Sequence, residues 1–494
     1  MGKLLHRFRM HLKPVRSQAA LHGCRELRLR DNPLIRYPYA ESFRCIGSAC
    51  EDTCCRGWSV PIDQAAYEKY QSLPASALRT LILEHIDASA LPTTLDAEDS
   101  NGTGSAAADA VARIRMNGAN ECPMLSEARL CRIQAELGEG LLSHACATYP
   151  RIVLAAGGEE EKALTLSCPK AARLVLLTPN LLGLGISAQH DLPAVEGNAA
   201  TAGEGGPGAL PLHFWLLREV VPALLQNRDY PLWQRLFLLG VLCRRLDSIA
   251  KGEINRSIPE FLRDFDATVA TGALRTAMET LPVDRAAQLD VVLRLAGMLL
   301  HRSNVRPRFV ECVRAFTMGI GNGPGATLES LAAQYSLAHD RFYEPFFRRH
   351  PHILENYLIN TVIRCQFPFG REGMRAGAQP SMDREFALLT AQFALMKGLL
   401  IGVAGFHGER FAAEHVVHTV QAAAKHFEHH PEFLKMAHEL LVESRMDGAR
   451  GLAILLRNAR AGEVSSGPKP ASPGKDAPGR QDGRSVSAWG SSQR

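Results

Sequence analysis

Beyond residue 210, apolar positions recur at i, i+3, i+4 and i+7 through most of the chain. That spacing turns one face of an α-helix toward a core. The segments LHFWLLREVVPALLQN, PLWQRLFLLGVLCRRLDSIA and DRAAQLDVVLRLAGMLLHRS show it first. TLESLAAQYSLAHDRFYEPFF, ENYLINTVIRCQ, DREFALLTAQFALMKGLLIGVA and ERFAAEHVVHTVQAAAKHFE continue it. Pro222 interrupts the first segment and predicts a kink there. Strand-like alternation is scarce. Ile152–Ala156 and Leu164–Ser167 are the best candidates, joined as one hairpin across Gly157-Gly158. The run GIGNGPG (Gly319–Gly325) follows a helical stretch, where a dinucleotide fingerprint would follow a buried strand. It reads as a helix–helix loop. The pattern predicts a mainly α fold, with a small loop-rich cysteine module packed on a larger all-α helical domain.

Local composition divides the chain further. Residues 1–31 carry eight Lys/Arg against Glu26 and Asp31, and read as a disordered basic extension. The alternative is an anchor for acidic lipids, a peripheral membrane association. Residues 32–187 form the cysteine-rich module, with a small, polar, flexible insertion at 88–110. Residues 188–208 read as a linker, 209–462 as the helical domain and 463–494 as a Ser/Pro/Gly-rich disordered tail.

Hydrophobic residues are 46% and charged residues 22%, which excludes wholesale disorder, collagen and a coiled-coil rod. Mean hydropathy is −0.09, and no run of about 18 uninterrupted apolar residues predicts a membrane span. The net charge of +5 is too weak to argue for nucleic acid as a partner. An oligomer is compatible with the sequence.

Cysteine changes the picture. Nine of twelve lie in the first 170 residues: Cys24, Cys45, Cys50, Cys54, Cys55, Cys122, Cys131, Cys146 and Cys168. No apolar signal-peptide core precedes them, so the expected location is the cytoplasm, where clustered thiols serve metals or catalysis more than disulfides. Four thiols stand within Cys45-x4-Cys50-x3-Cys54-Cys55, and Gly47 and Gly57 permit a tight loop there. Cys122, Cys131, Cys146 and Cys168 follow. Convergent thiolates suit an iron–sulfur cluster or zinc. The spacing is neither the Cys-x3-Cys-x2-Cys of radical enzymes nor a pair of CxxC knuckles. Adjacent side chains diverge, so Cys54 and Cys55 serve two irons, two sites, or one ligand and one structural role. The metal itself is not readable from spacing.

Three blocks carry a family resemblance: FRCIGSACEDTCCRGWSVPIDQAAYEKY, then CPMLSEARLCRIQAELGEGLLSHACATYPR, then LSCPKAARL. Together they resemble the flagellin lysine-N-methylase family, which shares its cysteine pattern with proteins carrying a zinc- or iron-chelating domain. ENYLINTVIRCQFPF (Glu355–Phe369) and EHHPEFLKMA from Glu428 are similar to the family's helical half, so the resemblance spans residues 33–457. It implies S-adenosylmethionine as methyl donor, a [4Fe–4S] cluster on the cysteines with zinc as the alternative metal, and flagellin lysines as acceptor. The rival readings are a non-enzymatic zinc- or iron-chelating protein and a methylase of another protein.

With that chemistry in view, Arg151 is a candidate for gripping the donor's carboxylate and Trp58 for stacking on its adenine. Tyr149 and His144 are candidates for taking the substrate proton, and Glu51 with Asp52 for holding a lysine ammonium near the cluster. Each has an ordinary packing or salt-bridge reading beside the functional one. His415, His418, His426, His429 and His430 stand at helical spacing, without nearby cysteines, and read as solvated positions.

Overall fold

Two hydrophobic cores of very different size organise the chain, described here from a computed structural model over residues 34–35, 37–57, 60–88, 110–156, 159–183, 213–301, 305–374, 381–428 and 431–458. The expected basic extension, linker and tail lie outside the described residues. So do Cys24, Trp58, His429, His430 and nearly all of the insertion.

The small core belongs to the cysteine-rich region and is built around Val60, Ile62, Tyr70, Ile82, Ile114 and Met124. Strands β2 (Val60–Asp63) and β3 (Ile86–Asp87) flank β4 (Ala110–Ile114), both antiparallel to it. Burial alternates along β4, the mark of a sheet with one covered face. Two short helices cover it. Asp63 caps Gln64–Ser72 by accepting from Ala66 N at 2.9 Å, and Ser76 caps Ala77–His85 by accepting from Arg79 N at 3.1 Å. This second sheet has no counterpart in the alternation read from the sequence.

The expected hairpin exists with a shifted second strand. β5 (Arg151–Ala156) pairs antiparallel with β6 (Glu159–Leu164), Arg151 opposite Leu164. β1 (Leu34–Ile35) pairs parallel on the other side of β6. The acidic run at 159–161 hid the strand. The Glu161 carboxylate is fully buried and accepts from Arg218 at 2.7 Å and from Tyr37 at 3.2 Å. A burial-by-polarity rule misses a strand whose charge is paired inside. This sheet, and helix α1 (Pro169–Leu177) after it, join the large core with the helical region.

The large core is helical, in keeping with the predicted fold class. The helix Phe214–Gln226 runs through Pro222. The elements that frame the site are α2 (Pro307–Gly319), α3 (Leu328–Ala338), α4 (His352–Arg364), α5 (Met382–His407), α6 (Ala413–Phe427) and α7 (Ala449–Leu456). α5 is apolar all round, with a mean hydropathy of 1.8 in its richest window, long enough by composition to cross a membrane. All of that window is buried inside the protein, so α5 is the axis of the helical core. Gly402 and Gly405 of α5 face Gly319 of α2 so closely that an added Cβ would strike backbone. Gly319–Gly325 indeed leads from one helix to the next.

Helix α4, which begins the ENYL block, is the seam between sheet and bundle. Asn360 donates through Nδ2 to Leu164 O at 2.8 Å and accepts from Leu164 N at 3.3 Å, closing off the end of β6. Asn356 donates to Val175 O and Thr178 O at the C-terminus of α1. Glu355 takes Arg228 at 2.9 Å and Arg235 at 2.8 Å.

Candidate metal centre

The cysteines arrive on loops that the small sheet and the seam pin in place. Cys122 N donates to Cys55 O at 2.8 Å and Gly57 N to Asn120 O at 2.8 Å, tying the first cysteine loop to the second. An isolated bridge between Leu125 and Cys131 brings Cys131 back beside them. Cys146 sits on the one-turn helix His144–Thr148, whose first N–H, at His144, donates to Asp63 Oδ2 at 2.8 Å. Five thiols therefore line one cavity of about 70 Å3: Cys54, Cys55, Cys122, Cys131 and Cys146. Val60, Ile114, Met124, Ile133 and Leu142 make its other walls apolar. A single water needs about 10–15 Å3, so the space is several times that.

Cys45, Cys50 and Cys168 do not line this cavity. Cys45 is exposed and its Sγ accepts from Gly47 N at 3.4 Å. Cys50 donates to Asp52 O at 3.4 Å. Cys168 precedes α1, buried, and burial with the neighbouring Cys50 and Cys54 pushes its thiol up to about 12. Inside the cavity the thiols are unequal. Cys55 is hydrogen-bonded to both Cys131 and Cys54, which raises the pKa of its own thiol and lowers theirs, Cys131 to about 6. Burial pushes Cys122 up to about 11 and raises Cys146 as well. As placed, no three His, Cys, Asp or Glu side chains among the described residues stand close enough to hold a metal ion. The donor set is nonetheless soft sulfur around an apolar space, the chemistry that zinc and iron–sulfur groups require.

A row of cations stands behind the first cysteine loop. Glu51 is ion-paired with Arg173. Asp52, largely buried, accepts from Lys425 Nζ at 2.8 Å and from Gln421 Nε2 at 2.7 Å. Burial alone would raise its carboxyl, but Lys425, Gln421 and Arg306 more than offset that and hold it below the usual value. Lys425 also donates to Thr53 O at 3.1 Å, and Gln421 to Ser167 O at 2.8 Å. Arg306 donates to Gly57 O at 2.7 Å, where an added Cβ on Gly57 would run into the guanidinium.

The remaining sequence candidates are placed as follows. The Tyr149 ring lines the cavity and its hydroxyl is 3.1 Å from Ser167 Oγ; burial raises its phenol well above the usual range. His144 is exposed and outside the cavity wall. Arg151 donates to Phe43 O at 3.1 Å and lies over the Phe43 ring. Gln421, Lys425, Arg306 and Arg173 are not among the sequence candidates. A signal existed for two of them, because Gln421 and Lys425 fall four apart on the apolar stripe of α6.

The histidines on α6 differ from the solvated positions expected of them. His426 is 3% exposed, packs on Phe309 and accepts from Arg306 N at 3.2 Å. His415 stacks on His407 with centroids 3.7 Å apart, and with His418, Cys312 and Glu311 they line a second cavity of about 220 Å3. The helix is buried along the face that polarity assigned to water.

Fold and site together define a helical protein with a thiol-lined cavity at the edge of its bundle, closed from behind by charges of the helical half. Residues 218–455 match the family model of the FliB lysine N-methylase C-terminal domain. The lysine-N-methylase of Salmonella choleraesuis (strain SC-B67) is 23% identical over 416 residues, covering 81% of this chain and 93% of that protein. The lysine-N-methylase of Salmonella typhimurium (strain LT2) matches over the same shares at the same identity. The flagellar biosynthetic protein FliU of Salmonella muenchen is 32% identical over 148 residues, 30% of this chain and 79% of that protein. No solved structure matches. The chain belongs to the flagellin lysine-N-methylase family.

Proposed function

We propose that this chain is a protein lysine N-methyltransferase acting on flagellin lysines in the cytoplasm. S-adenosylmethionine is its methyl donor, and a [4Fe–4S] group is held by thiolates drawn from Cys54, Cys55, Cys122, Cys131 and Cys146. The observation that carries this reading is the gathering of five thiols on one apolar cavity, in a chain that spans 93% of the length of a lysine-N-methylase relative. The names of the relatives support the amine chemistry, and the donor set supports the metal.

Methyl transfer needs a neutral amine, while free lysine titrates near ~10.4. A site can desolvate the ammonium or take its proton. The apolar walls of Val60, Ile114, Met124, Ile133 and Leu142 favour the neutral amine by desolvation. Glu51 and Asp52 are engaged with Arg173 and Lys425, so they hold internal cations. When bound, the iron–sulfur group supplies an open iron for the donor's amino and carboxylate groups, or a one-electron route.

The test is anaerobic purification with metal analysis and a labelled-donor assay on unassembled flagellin. Iron in a brown protein that transfers label is the expected result. Cys54→Ser and Cys131→Ser should lose iron and activity together, whereas Cys243→Ala, deep in the helical core, should keep both. A colourless zinc protein that transfers no label would establish the chelator reading instead.

A further inference from the structure

We propose that Lys425, Gln421 and Arg306 are positioning residues of the cysteine centre: they reach out of the helical half, fix residues 50–57 so that Cys54 and Cys55 face the cavity, and supply the positive charge a multi-thiolate centre needs. This rests on the thiolate-centre reading above and extends it to residues that carry no sulfur.

The geometry comes first. Residues 50–57 form a loop almost without regular structure, so its shape depends on bonds from outside. Four of those bonds come from helical-half side chains. They are Lys425 Nζ to Asp52 Oδ2 and to Thr53 O, Gln421 Nε2 to Asp52 Oδ2, and Arg306 Nη2 to Gly57 O. They straddle the Cys54-Cys55 pair, with Asp52 and Thr53 on one side and Gly57 on the other. The Lys425 side chain is only 6% exposed, and Gln421 is fully buried. Gln421 is itself oriented, accepting from Arg308 Nε at 3.2 Å while it donates to Ser167 O at 2.8 Å. Residues buried this deeply to bond a loop sit where outer groups around metal ligands sit.

The charge argument is independent. Several thiolates on one metal group leave net negative charge, and burying unbalanced charge is costly. Lys425 is matched by Asp52, which leaves Arg306 as a surplus cation. It is half-buried beside the loop, and Gly57 lacks the side chain that would displace it.

The test uses full-length, anaerobically prepared Lys425→Met, Lys425→Arg and Arg306→Gln. Hydrogen–deuterium exchange of residues 50–57 in the metal-free chain reports the positioning, and iron and zinc retention against a chelator reports the charge. Lys425→Met should raise exchange in this loop alone and weaken metal retention about 10- to 100-fold, the range seen for partners behind metal ligands. Lys425→Arg should restore much of the retention. If Lys425→Met unfolds, Arg306→Gln, whose removed contact is a single loop carbonyl, carries the same comparison. Unchanged exchange in either folded variant overturns the positioning role. Loosened exchange with unchanged metal retention overturns the charge role. Should wild-type chain retain neither iron nor zinc, the thiolate-centre reading and the charge role both fail, and the exchange experiment alone decides the positioning role.

Discussion

At Gly57 two demands meet in one residue. Its φ of +82° lies in the left-handed region, and the space where a side chain would stand holds the Arg306 guanidinium. Gly57→Ala should therefore destabilise the protein by about 1–3 kcal/mol, the usual scale for strain of this kind. The shift in urea midpoint measures it. In an Arg306→Ala background the same substitution should cost less, since only the backbone part remains; an equal cost would remove the collision from the account. Gly57 reads in the sequence as a loop former, but Arg306 lies 249 residues away and its approach belongs to the tertiary structure. Glu51 and Asp52 show the same limit. Acids between cysteines signal a place for a cation, and only folding determines that the cations are Arg173 and Lys425.

Among elements, α5 and α7 make the sharpest case. Lys397, in the middle of apolar α5, donates to Leu455 O at 2.7 Å and Leu456 O at 3.2 Å, capping the C-terminus of α7. Complete burial, with Arg285 adding to it, lowers its ammonium from 10.5 to about 7. The unfolded chain therefore holds a proton that the folded chain releases between those values. Stability contributed through this group rises with pH across that window and is lost as pH falls toward 7. Urea unfolding of wild type at about pH 7 and about pH 9 should show that rise, and Lys397→Met should flatten it. Parallel slopes for the two proteins would mean that Lys397 stays charged when folded. Periodicity revealed these helices well, because an apolar stripe is a local property. It missed β2–β4 and shifted β6, because short strands leave few alternations to read and Glu161 is buried by pairing with Arg218.

For the whole molecule, the seam between the cysteine-rich region and the helical bundle is what holds the two together. Arg218 to Glu161, Asn360 to Leu164, Asn356 to Val175 and Gln421 to Asp52 all cross it, and all but the last lie within the large core. Breaking any one of these leaves a buried polar group unpaired, at about 1–3 kcal/mol for a hydrogen bond and more for a charge. Co-expressed fragments 1–200 and 201–494 should therefore copurify through salt concentrations that screen surface ion pairs. Fragments that separate into two folded, soluble pieces would show that the seam is dispensable.

The sequence by itself determined the helical class, the cysteine-rich region and the kind of chemistry its thiols can support, because helix periodicity and residue type are written locally. It also carried the resemblance on which the family assignment converged. Tertiary structure alone decided which thiols meet, separating the cavity-lining Cys54, Cys55, Cys122, Cys131 and Cys146 from Cys45, Cys50 and Cys168. It also turned the ENYL block into a seam and put Lys425 and Gln421 behind the cysteines. Those outcomes depend on distances between residues up to 372 positions apart, set by how two cores pack, and no local pattern encodes such distances.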